Sequence, residues 1–210
     1  MIYDLRTYTL KPRSVPQALE LFGRSMPIRQ RYSPLGGMFS TEVGPLNQIV
    51  HIWPYKDLAA LERIRDEAAS DPSRMWPPPG LREHMVIQQS EILAPAPFMA
   101  PWEGPQHLGN IYELRIYDLV PGSRMELMKN WSARIDARRA YSPLVGCWLS
   151  TGVGGVGNQL FHLWAYGSFE ERLRIREETI AQGVWPVDDG RHYIRQQNKL
   201  LIPAPFSPLH

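Results

Sequence analysis

The chain has 210 residues, 43% of them hydrophobic, and a net charge of +2 from interspersed acidic and basic residues. This pattern has no basic block, so it argues against nucleic acid and against an anionic membrane surface as partners. The single cysteine, Cys147, excludes an internal disulfide and is typical of a reducing compartment. No apolar run approaches the ~20 residues of a spanning helix, and a strand pattern from Tyr3 leaves no room for a signal peptide. We therefore predict a soluble, cytoplasmic protein.

The pattern N-Q-x-x-H-x-W-x-Y occurs twice, at residues 47–55 and 158–166, and indicates an internal duplication. Its β-branched and aromatic residues, together with an alternation of period two, predict a strand in each copy. Alternation separates an aliphatic face, with Val50 and Ile52, from a face that carries the histidine. The histidine face of the first copy carries Asn47, Ile49, His51, Trp53 and Tyr55, and that of the second copy includes His162, Trp164 and Tyr166. We expect the aliphatic face to meet helices and the histidine face to meet something else.

Each half is predicted to fold in the order β-α-β-β-α-β, which is the ferredoxin-like arrangement. The first strand of each half places an acid, an arginine and a tyrosine on one face: Asp4, Arg6, Tyr8, Glu113, Arg115 and Tyr117. Pro27 is expected to kink or end the first helix. The predicted boundaries are residues 1–98 for the first repeat, 99–109 for a linker and 110–210 for the second repeat.

A ferredoxin-like sheet carries both helices on one face and leaves the other face bare. The first and third strands are central neighbours, so the acid, arginine and tyrosine should lie beside the histidine face. A bare face needs a cover, and the tandem copy can supply it. The fold class is thus predicted as α+β, with two sheets packed face to face in an intrachain pseudodimeric α/β barrel. Asp4–Arg6 and Glu113–Arg115 are expected to pair at the seam between the sheets.

Three segments resemble the NIPSNAP family: the Y-(D/E)-L-R-x-Y start of each half, the run Gly44–Gln48, and the H-x-W-x-Y strands. The resemblance covers nearly the whole chain as two tandem domains, and it implies the dimeric α/β-barrel superfamily. Related barrels include cofactor-free monooxygenases, small-molecule isomerases and haem enzymes, whereas most NIPSNAP members lack an established reaction. Eukaryotic relatives are linked to mitochondria and to protein interactions. The second half departs from the family pattern at Gly155–Gly157, so the two copies need not be equivalent.

Two clusters of residue types suit acid–base chemistry, one in each half. The catalytic candidates are His51, Arg6 and Asp4, with His162, Arg115 and Glu113 in the second copy. In each cluster a carboxylate would fix the histidine tautomer and an arginine would hold an anionic or enolic oxygen. The substrate-binding candidates are Trp53, Tyr55, Tyr8, Trp164, Tyr166 and Tyr117. The structural alternative, in which acid and arginine pair at the seam and the histidine only hydrogen-bonds there, is favoured over catalysis.

No metal site and no cofactor are predicted, because neither the central histidines nor the second repeated pair, His84 and His192, has ligands at zinc-like spacing. Haem, which needs one axial histidine, is disfavoured but left open. The glycine-rich run 152–157 leads into a strand, so it is not a phosphate cradle. Trp76 and Trp185 would either lid a pocket or plug the open end of the barrel, the commoner use. Cys147 is predicted to be a small core residue.

Two functions remain open. The first is a site for a small apolar or aromatic molecule, with cofactor-free chemistry of the monooxygenase or isomerase kind if it is an enzyme. The second is a non-enzymatic assembly or protein-interaction module with a filled barrel. A ligand site is predicted between the two sheets, around His51 and Arg6, and a second site at His162 and Arg115 is left open. The first copy is favoured because its shorter hairpin, Gly44–Leu46, should position His51 better. A further homo-oligomer is left open.

Overall fold

The computed structural model describes residues 1–187 and 190–210. Its elements follow the predicted βαββαβ order twice. They are β1 (Ile2–Leu10), α1 (Val15–Arg29), β2 (Gly37–Val43), β3 (Gln48–Tyr55), α2 (Leu58–Ala69), β4 (Met85–Pro95), β5 (Ile111–Leu119), α3 (Arg124–Arg139), β6 (Leu144–Ser150), β7 (Gln159–Tyr166), α4 (Phe169–Ala181) and β8 (Tyr193–Pro203). Pro27 lies in the last turn of α1, and the helix continues past it to Arg29.

The eight strands close into one barrel in the order β1-β3-β2-β8-β5-β7-β6-β4. Within each repeat the first and third strands are antiparallel neighbours, with Arg6 opposite His51 and Arg115 opposite His162. The repeats join through β2–β8 and β4–β6. The prediction of an α+β fold in which two ferredoxin-like units form a single pseudodimeric barrel is therefore confirmed.

The barrel interior is filled by apolar side chains from both repeats. Val50 and Ile52 belong to this interior cluster together with large rings such as Tyr3, Tyr112 and Trp148. The ring centroids of Tyr3 and Trp148, which come from different repeats, lie 5.5 Å apart. The prediction that the aliphatic face meets the helices is thus wrong. The barrel interior excludes water on every side, so it takes the most uniformly apolar face of each strand.

The histidine face lies under the helices instead. His51 packs against Phe22 of α1, with ring centroids 5.5 Å apart, and Trp53 belongs to the same layer as Phe22. A layer between sheet and helices has open edges, so polar tips can reach solvent there while the rings stay buried. The residues expected to form a ligand site between the two sheets thus lie beneath the helices, while apolar side chains of both repeats pack in the barrel interior.

The predicted pairs Asp4–Arg6 and Glu113–Arg115 do form, but they lie on the helix side of the sheet and not at the seam, and each carboxylate also pairs with a helix arginine. Asp4 Oδ2 accepts a hydrogen bond from Arg65 of α2 at 2.6 Å, whereas Arg6 Nε stands 4.0 Å away. These pairs therefore link each sheet to its own helix. Asp4 and Arg6 lie on the same face of the sheet as His51, because Arg6 stands directly opposite His51 and Asp4 directly opposite Trp53.

Trp102, in the segment that connects the repeats, packs against one end of the barrel core. Its ring lies 5.4 Å from that of Tyr3 and 5.6 Å from that of Trp148, and its indole N–H donates to the carbonyl of Val145. The prediction that Trp76 and Trp185 plug the barrel is wrong, because both pack in the helix-side layers. Cys147 is fully buried in the layer under α3 and α4, as predicted for a small core residue.

Candidate functional site

A pocket of about 440 Å³ lies between the sheet and the helices of the second repeat. All six site candidates of the second copy line it, and α3, α4 and the loop after α4 complete its wall. The lining residues are Glu113, Arg115, Tyr117, Trp131, Arg138, His162, Trp164, Tyr166, Arg176, Thr179, Ile180, Trp185, Pro186, Val187, Gly190, Tyr193 and Gln196. The prediction that the first copy is favoured is not supported, since this pocket belongs to the second.

Strand alternation brings the candidates together. Arg115 of β5 lies directly opposite His162 of β7, and Glu113 lies opposite Trp164. Side chains that lie opposite each other in antiparallel strands point to the same face, so these four residues share the helix side. Trp185, which follows α4, packs edge to face against Trp131 with ring centroids 4.7 Å apart. Of the two predicted uses of this tryptophan, the wall of a pocket is the one that its position supports.

His162 is a buried, neutral hydrogen-bond donor. Its Nδ1 accepts a hydrogen bond from the indole N–H of Trp164 at 2.7 Å, so the neutral ring carries its proton on Nε2. Nε2 has no hydrogen-bond partner, although the side chain is only 1% exposed. Burial, reinforced by the charges of Arg115, Arg138 and Arg176, holds the pKa of His162 well below its usual value. The ring therefore stays uncharged near neutral pH.

The expected carboxylate–histidine pair does not form, because the tryptophan takes its place. Glu113 Oε1 accepts hydrogen bonds from Arg172 at 2.6 Å, Asn198 at 2.8 Å and Arg115 at 3.0 Å. Burial raises the pKa of Glu113, but the bond from Arg172 and the charges of both arginines outweigh it and lower the pKa. Its second oxygen, Oε2, is buried without a partner. Glu113 is thus a charged acceptor and a weak base.

Arg138, at the end of α3, is the main site residue that sequence reasoning missed. Only 3% exposed, it donates to Ser142 Oγ at 2.8 Å and to Tyr166 Oη at 3.1 Å. Its guanidinium carbon lies 4.3 Å from the ring centroid of Trp164. Burial lowers its pKa, yet an arginine side chain keeps its charge in proteins. The repeated spacing R-x-x-x-S was the available signal, because Arg29 and Ser33 form the same bond in the first repeat.

Arg176 of α4 was missed as well, and it differs from its counterpart in the first repeat. Among the described residues its half-buried side chain makes no hydrogen bond and no ion pair, although it lines the pocket. Counting from the shared histidine strand, Arg176 corresponds to Arg65, which is bonded to Asp4 at 2.6 Å. In the second repeat the carboxylate is that of Glu113, and it pairs with Arg172, which stands at the position of Leu61. Arg176 is left facing the pocket.

The first repeat holds the same central group in a more filled layer. Trp53 donates to His51 Nδ1 at 2.6 Å, and the Nε2 of His51 again lacks a partner. Leu81 is buried in this layer, with Trp76 and Met85 packed against it. The second repeat has five residues, 187–191, where the first has six, 78–83, and an exposed glycine, Gly190, lies in the shorter stretch. In the first repeat the buried Leu81 helps to fill the layer beside this loop.

Neither a metal centre nor a membrane span emerges from the described ranges. No three His, Cys, Asp or Glu side chains there are grouped so that they could hold a metal ion. None of the helices in the same ranges is long and apolar enough to cross a bilayer. The site chemistry that remains is hydrogen-bond donation and positive charge within aromatic walls.

Two ferredoxin-like units closed into one barrel, each with a histidine layer beneath its helices, define a tandem protein of the dimeric α/β-barrel class. The NIPSNAP family model matches residues 3–100 and 112–208. The chain is 31% identical over 221 residues to human Protein NipSnap homolog 3A, an alignment that covers 100% of this chain and 86% of that protein. It is 27% identical over 226 residues to Protein NipSnap of Drosophila melanogaster, covering 99% and 78%. The chain therefore belongs to the NIPSNAP family.

Solved structures agree on the fold at much lower sequence identity. A candidate monooxygenase of Lactobacillus acidophilus superposes with a TM-score of 0.67 at 11% identity, covering 97% of this chain and 93% of that one. A mutant chlorite dismutase of Candidatus Nitrospira defluvii gives a TM-score of 0.57 at 9% identity, covering 97% and 92%. At such identities the likeness concerns the barrel architecture alone.

Proposed function

We propose that the chain binds a small aromatic or apolar molecule in the pocket of the second repeat. The observation that carries this proposal is the pocket itself, whose volume of about 440 Å³ falls in the ~300–1,000 Å³ range of small-molecule sites. Tryptophans 131, 164 and 185 provide apolar walls. The unpartnered Nε2 of His162 and Oε2 of Glu113 supply one donor and one acceptor that would orient a ligand. A few fixed polar groups among aromatic walls are typical of ligand pockets.

The groups favour binding and oxyanion stabilisation over proton abstraction. In the tautomer fixed by Trp164, His162 offers an N–H and no free lone pair, so it is a donor and not a general base. Glu113 is held by two arginines and its pKa is lowered, which weakens it as a base. Cofactor-free chemistry in this pocket would therefore rest on an enolic or carboxylate oxygen held by the arginines and His162.

The test is a fragment screen by thermal shift, followed by calorimetry on the parent and on a variant with an occluded pocket. Gly190→Leu adds to the pocket rim the side chain that Leu81 buries in the first repeat, and a Cβ at this glycine meets no atom of the other described residues within 4 Å. Gly157→Leu, at an exposed glycine with equal space in another loop, is the matched control. We expect fragment binding to weaken at least tenfold in Gly190→Leu and to stay within twofold in the control.

The filled barrel interior favours the second candidate, a non-enzymatic interaction module. The two candidates separate in the same screen, because a module without a ligand site would yield no hit in the parent, while mass photometry would show self-association or a complex. We further propose that the protein acts in the cytoplasm, since the one cysteine, Cys147, is an unpaired thiol and suits a reducing compartment.

A further inference from the structure

The described lining of the pocket in the second repeat carries a surplus of positive charge. Three of its described lining residues are arginines and one, Glu113, is a carboxylate, which leaves an excess of two positive charges. Glu113 already pairs with Arg115 and with a further arginine, Arg172. The negative charge of Glu113 is therefore balanced by Arg115 on β5 and Arg172 on α4. Asp188 and Asp189 of the adjoining loop lie outside the described residues.

Arg138 and Arg176 are the two cations that Glu113 does not engage. Arg138 is buried, and its two side-chain hydrogen bonds go to neutral hydroxyls, those of Ser142 and Tyr166. The side chain of Arg176 has neither a hydrogen bond nor an ion pair within the described part of the chain. A charge removed from water is costly unless a counter-ion or strong acceptors replace the solvent. An anion bound in the pocket would supply that counter-ion.

His162 adds a third, independent donor. Its side chain is 99% buried and lines the pocket, and its Nε2–H has no acceptor. Arg138, Arg176 and His162 all line the same pocket, and the charges of both arginines act on the ring. Guanidinium groups and an N–H donor match the oxygens of a carboxylate, and arginine can bind such a group through two parallel hydrogen bonds.

We infer that the ligand is an aromatic carboxylate whose anionic group lies among Arg138, Arg176 and His162. This inference rests on the proposed function, since it requires that the pocket bind a small molecule at all. The aromatic body of the ligand would lie against Trp131 and Trp185, which form the edge-to-face wall of the same pocket. Burying the rings and pairing the charge in one site favours a flat organic acid over either a neutral arene or a small inorganic anion.

The test compares three probes with the same ring system by calorimetry: 2-naphthoate, its neutral carboxamide 2-naphthamide, and 2-naphthyl phosphate. We expect 2-naphthoate to bind at least tenfold more tightly than 2-naphthamide. Equal binding of these two would overturn the carboxylate inference and leave the proposed pocket function intact. If 2-naphthyl phosphate binds tenfold more tightly than 2-naphthoate, the assignment of the ligand as a carboxylate is overturned. If no probe binds, both the inference and the proposed function fail.

The residue assignment is tested with Arg176→Met, which removes a charge but no side-chain hydrogen bond or ion pair to the described residues. Arg174→Met is the matched control, because Arg174 is an exposed arginine of the same helix that pairs with Glu178 at 3.1 Å. We expect Arg176→Met to lose most of the carboxylate preference while 2-naphthamide affinity stays within twofold, and we expect the control to keep the full preference. A preference that survives Arg176→Met, or disappears equally in the control, would overturn the assignment.

Discussion

Acidification from pH 7 to pH 5 should destabilise this protein through two buried histidines. His51 and His162 are 0% and 1% exposed, and each uses Nδ1 to accept an indole N–H. Burial first, and neighbouring arginines second, place the pKa of each well below its usual value. A proton added to Nδ1 would break the bond to the tryptophan and place a positive charge beside arginines. The native state therefore resists protonation.

The free energy of unfolding falls on acidification because the folded and unfolded states bind protons differently. An unfolded histidine titrates near ~6.5, so below that pH the unfolded chain binds protons that the native chain refuses, and the free energy of unfolding falls. If the native rings stay neutral down to pH 5, each histidine lowers the free energy of unfolding by about 2 kcal/mol between pH 7 and pH 5, and the two together lower it by about 4 kcal/mol. The stabilisation from Glu113, whose pKa is lowered, is lost only at more acidic pH. Glu91, whose pKa is raised by burial, acts in the opposite direction.

The assay is urea unfolding at pH 7.0, 6.0 and 5.0 for the parent, His51→Gln, His162→Gln and the double variant. Glutamine does not titrate, and its amide oxygen can still accept the indole N–H. The drop in the free energy of unfolding between pH 7 and pH 5 should be smaller than in the parent by about 2 kcal/mol in each single variant and by about 4 kcal/mol in the double variant. His107→Gln, at an exposed position, is the control and should keep the slope of the parent. Unchanged slopes in both single variants would refute the assignment of neutral, buried rings.

Three further predictions follow from burial and pairing. Trp148→Ala should lower the free energy of unfolding by roughly 3–5 kcal/mol in a single urea transition, because this ring belongs to the core that both repeats share; two separate transitions would contradict a shared core. Glu113→Gln should cost about 3–5 kcal/mol by leaving two arginines without their carboxylate, and unchanged urea stability would count against the ion pairs. Cys147, whose pKa is raised by complete burial, should react with a thiol reagent only in urea, so labelling of the native chain would refute its burial.

The sequence predicts the barrel because the duplication and the strand periodicity are both explicit in it. Two copies of N-Q-x-x-H-x-W-x-Y fix the repeats, and the βαββαβ order fixes the neighbours of each strand, including Arg6 opposite His51. Alternation, however, only says which residues share a face. It does not say which face enters which apolar layer, and here the barrel interior and the space under the helices both exclude water. Val50 faces the interior and His51 faces the helices, the reverse of the prediction, because the more uniformly apolar face fills the closed layer.

The candidate site is predicted in part for the same reason. Residues on neighbouring strands are placed together by register, so the six strand candidates of the second copy do line one pocket. Arg138 and Arg176 come from helices, and their approach to the strands depends on helix packing that no local pattern encodes. Glu113 was expected to hydrogen-bond His162, but Trp164, two residues along the strand from His162, donates to its Nδ1 instead. Competition between several possible partners is decided by three-dimensional distance.

The two repeats use the same central group differently, and the shared barrel explains why this is tolerated. Most of the interior core is common to both halves, so the second repeat can leave space under its helices without losing that core. In the first repeat Arg65 binds Asp4 and Leu81 fills the layer, which serves stability. In the second repeat Arg172 stands where the first has Leu61, so the carboxylate is satisfied one helical turn earlier on α4 and Arg176 is released toward the pocket. The exchange of Leu61 for Arg172 thus accounts for an arginine, Arg176, that faces the pocket in the second repeat, while Leu81 packs in the corresponding layer of the first.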